Sequence, residues 1–463
     1  MIVRFVPMLL LLGCSVALAD EAANRDRIQP YAKNPHYWQY KGKPVLLLGG
    51  TIEDNLFQLA DVTFELESLV QVGGNFVRNT MSSRDQGNLW PFKKVGEDYD
   101  LEQWNDEYWQ RFERFLSEAA KRDVIVQLEV WATFDFYQGT WRDNNPFNPN
   151  LNSNYKPGEA KLPIRVNSHP TRTENPFFET VPGEDNNELV LKYQQRYVSK
   201  LLDHSLNYGN VLYCMDNETS VTPKWGAHWA KFIRDRAAKE GLHVETTEMW
   251  DSWDLKHESH RATFDHPELY SFVDLSQNNH QRGQRHYDNA MAIRERFLKS
   301  TPRPANNVKI YGADTGRFGR ARDGVERFWR SIFAGHAAAR FHRPPSGLGL
   351  GEVALQNLRA ARAFTNAFTI FTCEPNNSIL GQRAPNEAYA LVDPGKVYAL
   401  YFPARGSVTL DVVGIDAKTW SVRWFQIGTG EWKDEETATA NSGRLTLQTP
   451  ENDAWGVLVT PKG

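Results

Sequence analysis

Two carboxylates that closely follow apolar runs are the first residues of this chain that could do chemistry. Glu218 follows the apolar run at residues 211–215, and Asp314 follows the one at 308–312. Hydrolysis of a glycosidic bond needs such a pair, because one carboxyl group protonates the leaving oxygen while the other attacks or activates water. An apolar strand end and the neutral neighbour Asn217 predict a raised pKa for Glu218, which would then hold its proton. We therefore predict Glu218 as general acid/base and Asp314 as nucleophile or base.

Both carboxylates also have simpler explanations. Glu218 could cap the helix that follows it, and Asp314 could serve as an N-cap or an Asx turn. Glu248 and Asp251 follow another apolar run and are alternative catalytic partners for Glu218.

Polar and aromatic groups at other strand ends are candidates for substrate binding. Arg78 could hold a carboxylate ionised through a bidentate contact, or form a structural ion pair with another acid. Asn217 and His280 could position substrate or partner, and a purely structural His280 is the alternative. Two acids at the predicted rim could bind sugar hydroxyls: Asp54 and Asp135. Four indoles could stack on sugar faces or belong to the core: Trp131, Trp141, Trp250 and Trp253.

The elements that must position these residues follow the pattern of βα units on a parallel sheet. Strands are predicted at residues 44–49, 75–79, 124–131, 211–215, 244–249, 272–276, 308–312 and 338–342. Helices are predicted at residues 101–121, 187–206, 223–240, 282–298, 323–337 and 350–371. Eight such units predict an α/β fold, a (β/α)₈ TIM barrel, whose catalytic groups stand at the C-terminal ends of the strands. A doubly wound open sheet is the alternative, although no glycine-rich nucleotide fingerprint follows the first strand.

The pattern changes near residue 372, where short β-prone runs alternate with turn residues. These runs lie at residues 389–392, 397–402, 408–412, 421–425, 444–448 and 455–459. We predict a catalytic barrel over residues 20–371 and a small antiparallel β-sandwich over 372–463. The Pro- and Asn-rich segment 136–186 follows the third predicted strand, so we expect it to form a wall of the cleft.

Residues 1–19 are typical of a secretory signal peptide. Arg4 supplies the positive charge, an apolar run covers residues 5–12, and residues 17–19 match an A-x-A cleavage site. We expect a secreted or periplasmic bacterial protein whose mature chain begins at Asp20. Because residues 11–14 resemble a lipobox, a lipoprotein anchored through Cys14 is the alternative.

Composition argues against several classes of function. The formal net charge of -4 offers no basic surface for nucleic acid or acidic lipid. After the signal no run is long enough to span a bilayer, and no metal-ligand cluster or cofactor fingerprint is visible. We therefore expect no nucleic-acid partner, no membrane span, no metal and no cofactor. Aromatic residues make up 12% of the chain, which suits either a large aromatic core or a surface that binds flat sugar faces.

Two motifs resemble glycoside hydrolase clan A. Asn217-Glu218 at the fourth predicted strand is similar to the acid/base motif of the clan, and residues 74–78 look like its second-strand Arg motif. More narrowly, residues 30–461 resemble secreted bacterial apiosidase-like (DUF4038-type) barrels that end in a β domain described as collagen-binding. The closest local likenesses are at 44–58, 329–339 and 422–430. The resemblance implies a barrel glycosidase with Glu218 as acid/base and a seventh-strand Glu as nucleophile.

The chain departs from the clan at the seventh strand, where Asp314 stands in place of Glu. The shorter side chain alters the separation of the two carboxyl groups, which decides between retention and inversion. We predict a secreted, cofactor-free glycoside hydrolase that acts on a carbohydrate substrate, a poly- or oligosaccharide. A non-catalytic carbohydrate- or matrix-binding protein is the rival, and a polysaccharide lyase is a third possibility.

Overall fold

The structure is a computed structural model that describes residues 24–169, 174–313 and 318–462. The predicted signal peptide, its alternative anchor Cys14 and the predicted partner Asp314 lie outside the described residues.

Eight parallel strands form a nearly closed barrel. In chain order they are Leu47–Gly50, Phe76–Thr80, Ile125–Trp131, Val211–Asp216, Thr246–Thr247, Val273–Asp274, Ala305–Ile310 and Ala338–Phe341, here called the first to eighth barrel strands. Each pairs with its neighbour in sequence except the fifth with the sixth, and the eighth pairs with the first. This closure between the last and the first strand confirms the (β/α)₈ barrel and makes the open doubly wound alternative wrong.

Helices cover the outside of the barrel. The long ones are Val62–Gln71, Asp106–Lys121, Glu188–Ser205, Pro223–Ala238, Glu258–Phe264, Gly283–Ile293, Ala321–Phe333 and Glu352–Thr365. The helix predicted from residue 101 begins instead at Asp106, because Asp98–Trp104 pairs with Phe92–Val95 as a hairpin. Among the helices that the structure describes, none has the length and apolarity that a bilayer crossing requires.

The N-terminal end of the barrel is closed by apolar packing. A three-stranded antiparallel sheet of Gln29–Pro30, Trp38–Tyr40 and Lys43–Val45 lies there. Trp38 packs with the inward-facing residues of the barrel, such as Phe76 and Ile125, and its indole N–H donates to Asn306 at 2.9 Å. The opposite end, where the strands finish, is here called the mouth.

The Asn-rich segment after the third strand is folded rather than structureless. It contains the helices Gln138–Asp143 and Pro157–Ala160 and a 3₁₀ turn at Pro176–Glu179. Buried asparagine side chains bind its backbone, as where Asn148 donates to the carbonyl of Trp141 at 2.8 Å and Asn152 to that of Pro146 at 3.1 Å. These amides satisfy backbone groups that neither a helix nor a ladder would pair.

The C-terminal strands form a β-sandwich, as predicted. One sheet runs Glu374–Pro375, Tyr389–Asp393, Val397–Phe402, Trp455–Lys462, Thr419–Gln426 and Glu431–Trp432, with Glu436–Thr439 also paired to Thr419–Gln426. The other sheet contains Leu380–Gly381, Ser407–Asp411 and Arg444–Gln448. Between them lies a core that includes Trp420, Trp424 and Leu445.

The sandwich packs directly on the last two barrel helices. Trp329 stacks on Tyr401 with ring centroids 5.6 Å apart, and Phe364 lies 5.7 Å from Trp432. A Cβ atom added to Gly456 would lie 2.6 Å from the Phe364 ring, which shows how closely the backbone approaches. The boundary at residue 371 stays a prediction, because residues on both sides of it share one apolar core.

We expect a chain that ends at Phe371 to unfold at a lower temperature than the full chain, or to aggregate. Truncation would expose Trp329, Phe333 and Phe364, and each large apolar side chain returned to water costs about 1.5–3 kcal/mol. Thermal unfolding followed by circular dichroism checks this. An unchanged melting temperature would mean that the shared core contributes nothing to barrel stability.

Candidate active site

Glu218 lies at the mouth, two residues beyond the fourth barrel strand. Its Oε1 accepts hydrogen bonds from Gln277 Nε2 at 2.9 Å and Tyr311 OH at 3.3 Å, and it forms an ion pair with the Lys309 ammonium. Among the described residues no donor reaches Oε2, and the residue is 9% exposed. One carboxylate oxygen is therefore held while the other is left for a ligand.

The backbone at Glu218 adopts a left-handed conformation with φ of 59°. This region is sparsely populated for residues other than glycine and persists where the surroundings over-determine it, often at functional sites. Its neighbour Asn217 is fixed on both sides, since its carbonyl accepts from Thr133 Oγ1 at 2.5 Å and its side chain accepts from Lys309 at 3.1 Å. Asn217 therefore positions Lys309.

The pKa of Glu218 is shifted in the direction opposite to the prediction. Burial favours the neutral acid, but the Lys309 ammonium, the Gln277 amide and the Arg78 charge outweigh it and lower the pKa to about 2. The predicted raised pKa is therefore wrong: the carboxylate is ionised at neutral pH. The prediction rested on the neighbours of Glu218 in sequence, whereas the ammonium that lowers its pKa belongs to Lys309 on the seventh barrel strand.

Asp251, near Glu218, is one of several described carboxyl groups whose pKa is raised; Asp216 and Glu248 are others. Its backbone N–H donates to the carbonyl of Thr219 at 2.8 Å, which places it on the segment beside Glu218. Its side chain is partly buried and lines an open pocket of about 740 Å³ together with Ser220 and Trp250. Burial and the negative charge of Glu218 raise the pKa of Asp251 to about 7.

Arg78 forms a buried ion-pair network on the other side of the mouth. It contacts Glu129 through two hydrogen bonds of 2.5 and 2.7 Å and Asp54 through one of 2.6 Å. Of the two roles considered for Arg78, the structure shows the structural ion pair. Burial would raise the pKa of Asp54, but the charges of Arg78, His342 and Arg343 hold it well below its usual range.

Glu129→Gln is expected to destabilise the protein by up to about 3–5 kcal/mol, because it removes one of the two buried carboxylates that compensate the Arg78 charge and leaves Asp54 to do so. Chemical denaturation of the variant and the natural protein measures the difference. The matched control is Glu107→Gln, which removes a partner of Arg111 from an exposed helix pair, and there we expect at most about 0.5 kcal/mol. Equal losses in both variants would contradict a special role for the buried pair.

Three of the four candidate indoles belong to the core. Trp131 is buried among Phe177, Trp225 and other rings, and Trp141 is buried with its N–H bound to the carbonyl of Pro163. Trp250 contributes to the pocket wall but is 3% exposed. Both rings point into the layer between the barrel and its covering segments, and the stacking roles of Trp131 and Trp141 stay predictions.

Trp253 is the exposed indole at the mouth. It is 54% exposed and stacks on His280, with ring centroids 4.1 Å apart and an interplanar angle of 12°. His280 in turn meets the edges of Tyr311 and Phe318. Trp253 therefore offers a flat apolar surface beside the Glu218 cluster, and His280 supports it from behind.

Two predicted acids lie away from the cleft. Glu248 accepts from the backbone N–H groups of Asp216 and Met249 at 3.0 and 2.9 Å, and a Cβ atom on Gly226 would lie 2.4 Å from its other oxygen. It therefore faces the helix Pro223–Ala238, and its alternative catalytic role stays a prediction. Burial and the neighbouring Asp216 carboxyl raise the pKa of Glu248 well above its usual range.

Asp135 ties two loops together instead of facing the cleft. Its oxygens accept from Ser82 Oγ and from the Ser83 N–H, each at 2.7 Å, and the side chain is buried. The substrate contact of Asp135 stays a prediction. The Asp54 carboxylate is likewise paired with protein groups, the arginines Arg78, Arg84 and Arg343. Of these, Arg84 and Arg343 are partly exposed at the mouth.

Several site residues escaped the sequence analysis: Glu129, Gln277, Lys309, Tyr311 and Arg84. Lys309 and Glu129 carried a usable signal, because each is a charged residue inside an apolar strand, where charges occur only when paired. Gln277 and Tyr311 carried none. Of the predicted residues, the structure brings together Glu218, Asn217 and Asp251, with Arg78 and Asp54 on the opposite side.

Comparison with solved structures finds glycoside hydrolases of the same architecture. A glycoside hydrolase family 5 protein from Bacteroides vulgatus is 14% identical, with 94% of this chain and 93% of that chain covered and a TM-score of 0.60. A second protein from the same organism, titled a possible glycoside hydrolase, is 13% identical over 95% of this chain and 83% of its own, with a TM-score of 0.61. The endo-1,4-beta-mannanase of Rhizomucor miehei is 13% identical over 73% of this chain and 99% of its own, with a TM-score of 0.50.

No protein-family model matches the sequence, and no curated protein matches it. At these identities the likeness establishes the fold alone. The chain thus shares the fold of a (β/α)₈ barrel followed by a β domain with the family 5 protein from Bacteroides vulgatus, and a smaller part of its fold with the mannanase.

Proposed function

We propose that the protein is an exported glycoside hydrolase that cleaves a poly- or oligosaccharide with two carboxyl groups. The observation that carries the proposal is the opposite protonation of Glu218 and Asp251 at one mouth, with pKa values of about 2 and about 7. Neighbouring carboxyl groups whose surroundings push their pKa values apart are typical of an acid and a nucleophile in one site. The barrel-and-sandwich fold of the neighbouring hydrolases supports the same conclusion.

In this proposal Asp251 is the proton donor and Glu218 the anion. Asp251 transfers its proton to the glycosidic oxygen as the bond to the sugar breaks. The Oε2 atom of Glu218 faces the positive charge that develops on the sugar and attacks it, giving a glycosyl-enzyme that water then hydrolyses with Asp251 as base. A carboxylate with a pKa of about 2 is a poor proton acceptor at neutral pH, which favours attack over base catalysis.

The resemblance to clan A supports a second assignment, with Glu218 as acid/base and Asp314 as nucleophile. The position of Asp314 just after the seventh strand favours it. The two assignments differ in one respect that can be measured. Loss of the acid is tolerated when the leaving group needs no proton, whereas loss of the nucleophile is not.

Export through the signal peptide at residues 1–19, the apiosidase-like resemblance and a matrix-binding role of the β-sandwich also remain proposals. A reducing-sugar assay over plant and algal glycans tests the central function. We expect new reducing ends from the natural protein and none from Glu218→Gln. Retention of glycan without cleavage would support the binding protein, and ultraviolet absorbance of unsaturated products would support the lyase.

A further inference from the structure

The mouth of the barrel has two sides of different chemistry. Glu218, Asp251 and Lys309 come from the fourth, fifth and seventh strands or the loops that follow them. The opposite side, which belongs to the eighth, first and second strands and their loops, carries an arginine cluster of Arg78, Arg84 and Arg343. Because these three strands are neighbours in the barrel, their arginines converge on one place.

All three arginines of the cluster converge on a single carboxylate, that of Asp54. Its oxygens lie 2.6 Å from Arg78, 2.7 Å from Arg343 and 3.5 Å from Arg84. Arg78 is completely buried and also has Glu129 as a partner, so the two arginines left for the mouth are Arg84 and Arg343, whose side chains are 19% and 26% exposed. One carboxylate cannot neutralise both of them.

The remaining acids near these two arginines are poor partners. Glu53 lies 3.5 Å from Arg343 and Asp85 lies 4.0 Å from Arg84, and their side chains are 39% and 45% exposed. Exposed pairs at such distances contribute little, because water and salt screen them. Among the described residues, no acid fills all the donor capacity of these two arginines.

Arg84 lies against an aromatic ring. Its guanidinium carbon is 4.8 Å from the centre of the Phe134 ring, a cation–π contact. A planar guanidinium carries five N–H donors in a fork that matches carboxylate or sulfate oxygens. Burial raises the pKa of the Tyr137 hydroxyl, the charge of Arg84 lowers it and the charge of Glu218 raises it. Arg84 and Glu218 therefore both act on the same hydroxyl group.

We propose that Arg84 and Arg343 bind an anionic substituent of the glycan, a carboxylate or a sulfate ester, so that the substrate is an acidic polysaccharide. The inference rests on the proposed hydrolase function, since it assigns the substrate of that same mouth. The anionic group accepts hydrogen bonds from the guanidinium N–H groups that Asp54 does not use. This contact orients the sugar with its glycosidic bond toward Glu218 and Asp251.

Calorimetric titration of the full-length Glu218→Gln protein tests the inference without turnover of the probe. The probes are three tetrasaccharides of equal length: a galacturonic acid oligomer, a sulfated galactan oligomer and a neutral galactan oligomer. We expect one acidic probe to bind at least about tenfold more tightly than the neutral one, since a charge-assisted hydrogen bond is worth that much. Which acidic probe binds identifies the carboxylate or the sulfate, and added salt should weaken its binding alone.

Variants of the two arginines then locate the site. Arg84→Gln and Arg343→Gln should each remove at least about tenfold of the acidic preference and leave neutral binding unchanged. Arg84→Lys, which keeps the charge without the fork, should lose less, and it serves as the second variant if Arg84→Gln fails a thermal-melting check. The matched control is Arg142→Gln, because Arg142 pairs with Asp143 on the exposed surface of the third-strand segment.

Two results would overturn the inference: equal affinity for the acidic and neutral probes, or an acidic preference that survives both arginine variants. Its failure is separable from that of the hydrolase proposal. Cleavage of neutral glycans by the natural protein without acidic preference removes only the anion site. Tight, arginine-dependent binding of an acidic glycan that the natural protein never cleaves removes only the hydrolase.

Discussion

Replacing Glu218 with Gln is expected to abolish turnover for every substrate, including aryl glycosides whose leaving groups need no protonation. The amide keeps the shape of the side chain but removes the anion that faces the sugar, and no leaving group compensates for a missing nucleophile. Asp251→Asn is expected to behave differently. It should lose roughly 10²- to 10⁴-fold on natural glycosides and much less on activated ones, because only the proton transfer is missing.

Glu248→Gln is the matched control for these variants. It replaces another carboxyl group just beyond a barrel strand, one that faces a helix and whose pKa is raised by burial and the Asp216 carboxyl, so an amide is a close substitute. We expect near-natural activity from it. If activated substrates rescued Glu218→Gln while Asp314→Asn stayed inactive with all of them, the roles would be those implied by the clan A resemblance.

Lys309→Met should move the acidic limb of the pH profile upward. The ammonium is the main influence that lowers the pKa of Glu218, so its loss lets burial raise that pKa from about 2 to the ordinary Glu value of about 4.3 or above. Since the anion is the working form, kcat/KM should fall as the pH drops through this new pKa. One pH unit below it, about a tenth of Glu218 stays ionised.

The same substitution should also raise the alkaline limit, because Lys309 lowers the pKa of Asp251 as well. Lys309→Arg retains the positive charge and is the control, with an acidic limb expected to stay near that of the natural protein. Profiles of kcat/KM against pH for the three proteins decide the matter. An acidic limb that does not move in Lys309→Met would show that Lys309 does not set the charge of Glu218.

The barrel could be predicted from the sequence because its pattern is redundant. Each of the eight strands carries its own short apolar run, and missing one would not hide the alternation with amphipathic helices. The error at residues 98–104 has a local cause. Leu101 and Trp104 lie at helical spacing from the rings of the following helix, while the hairpin that claims them depends on pairing with Phe92–Val95.

The site was harder to predict because its chemistry depends on contacts between strands. Strand-end position was enough to single out Glu218, Asp251 and Arg78. It could not show the direction that a side chain takes beyond a strand of two residues such as Thr246–Thr247, and so could not show that Glu248 faces a helix. The charge of Glu218 was also misjudged, since Lys309 is 91 residues away in sequence.

The pH dependence of kcat/KM for the natural protein and for Asp251→Asn tests the central claim most directly, namely that Asp251 carries the proton and Glu218 the negative charge. A working acid must be protonated, so activity of the natural protein should fall as the pH rises through about 7, the pKa of Asp251. Asp251→Asn should be slower on natural glycosides and should lack this alkaline limb. An alkaline limb that persists unchanged in Asp251→Asn would contradict the assignment and place the proton on another group.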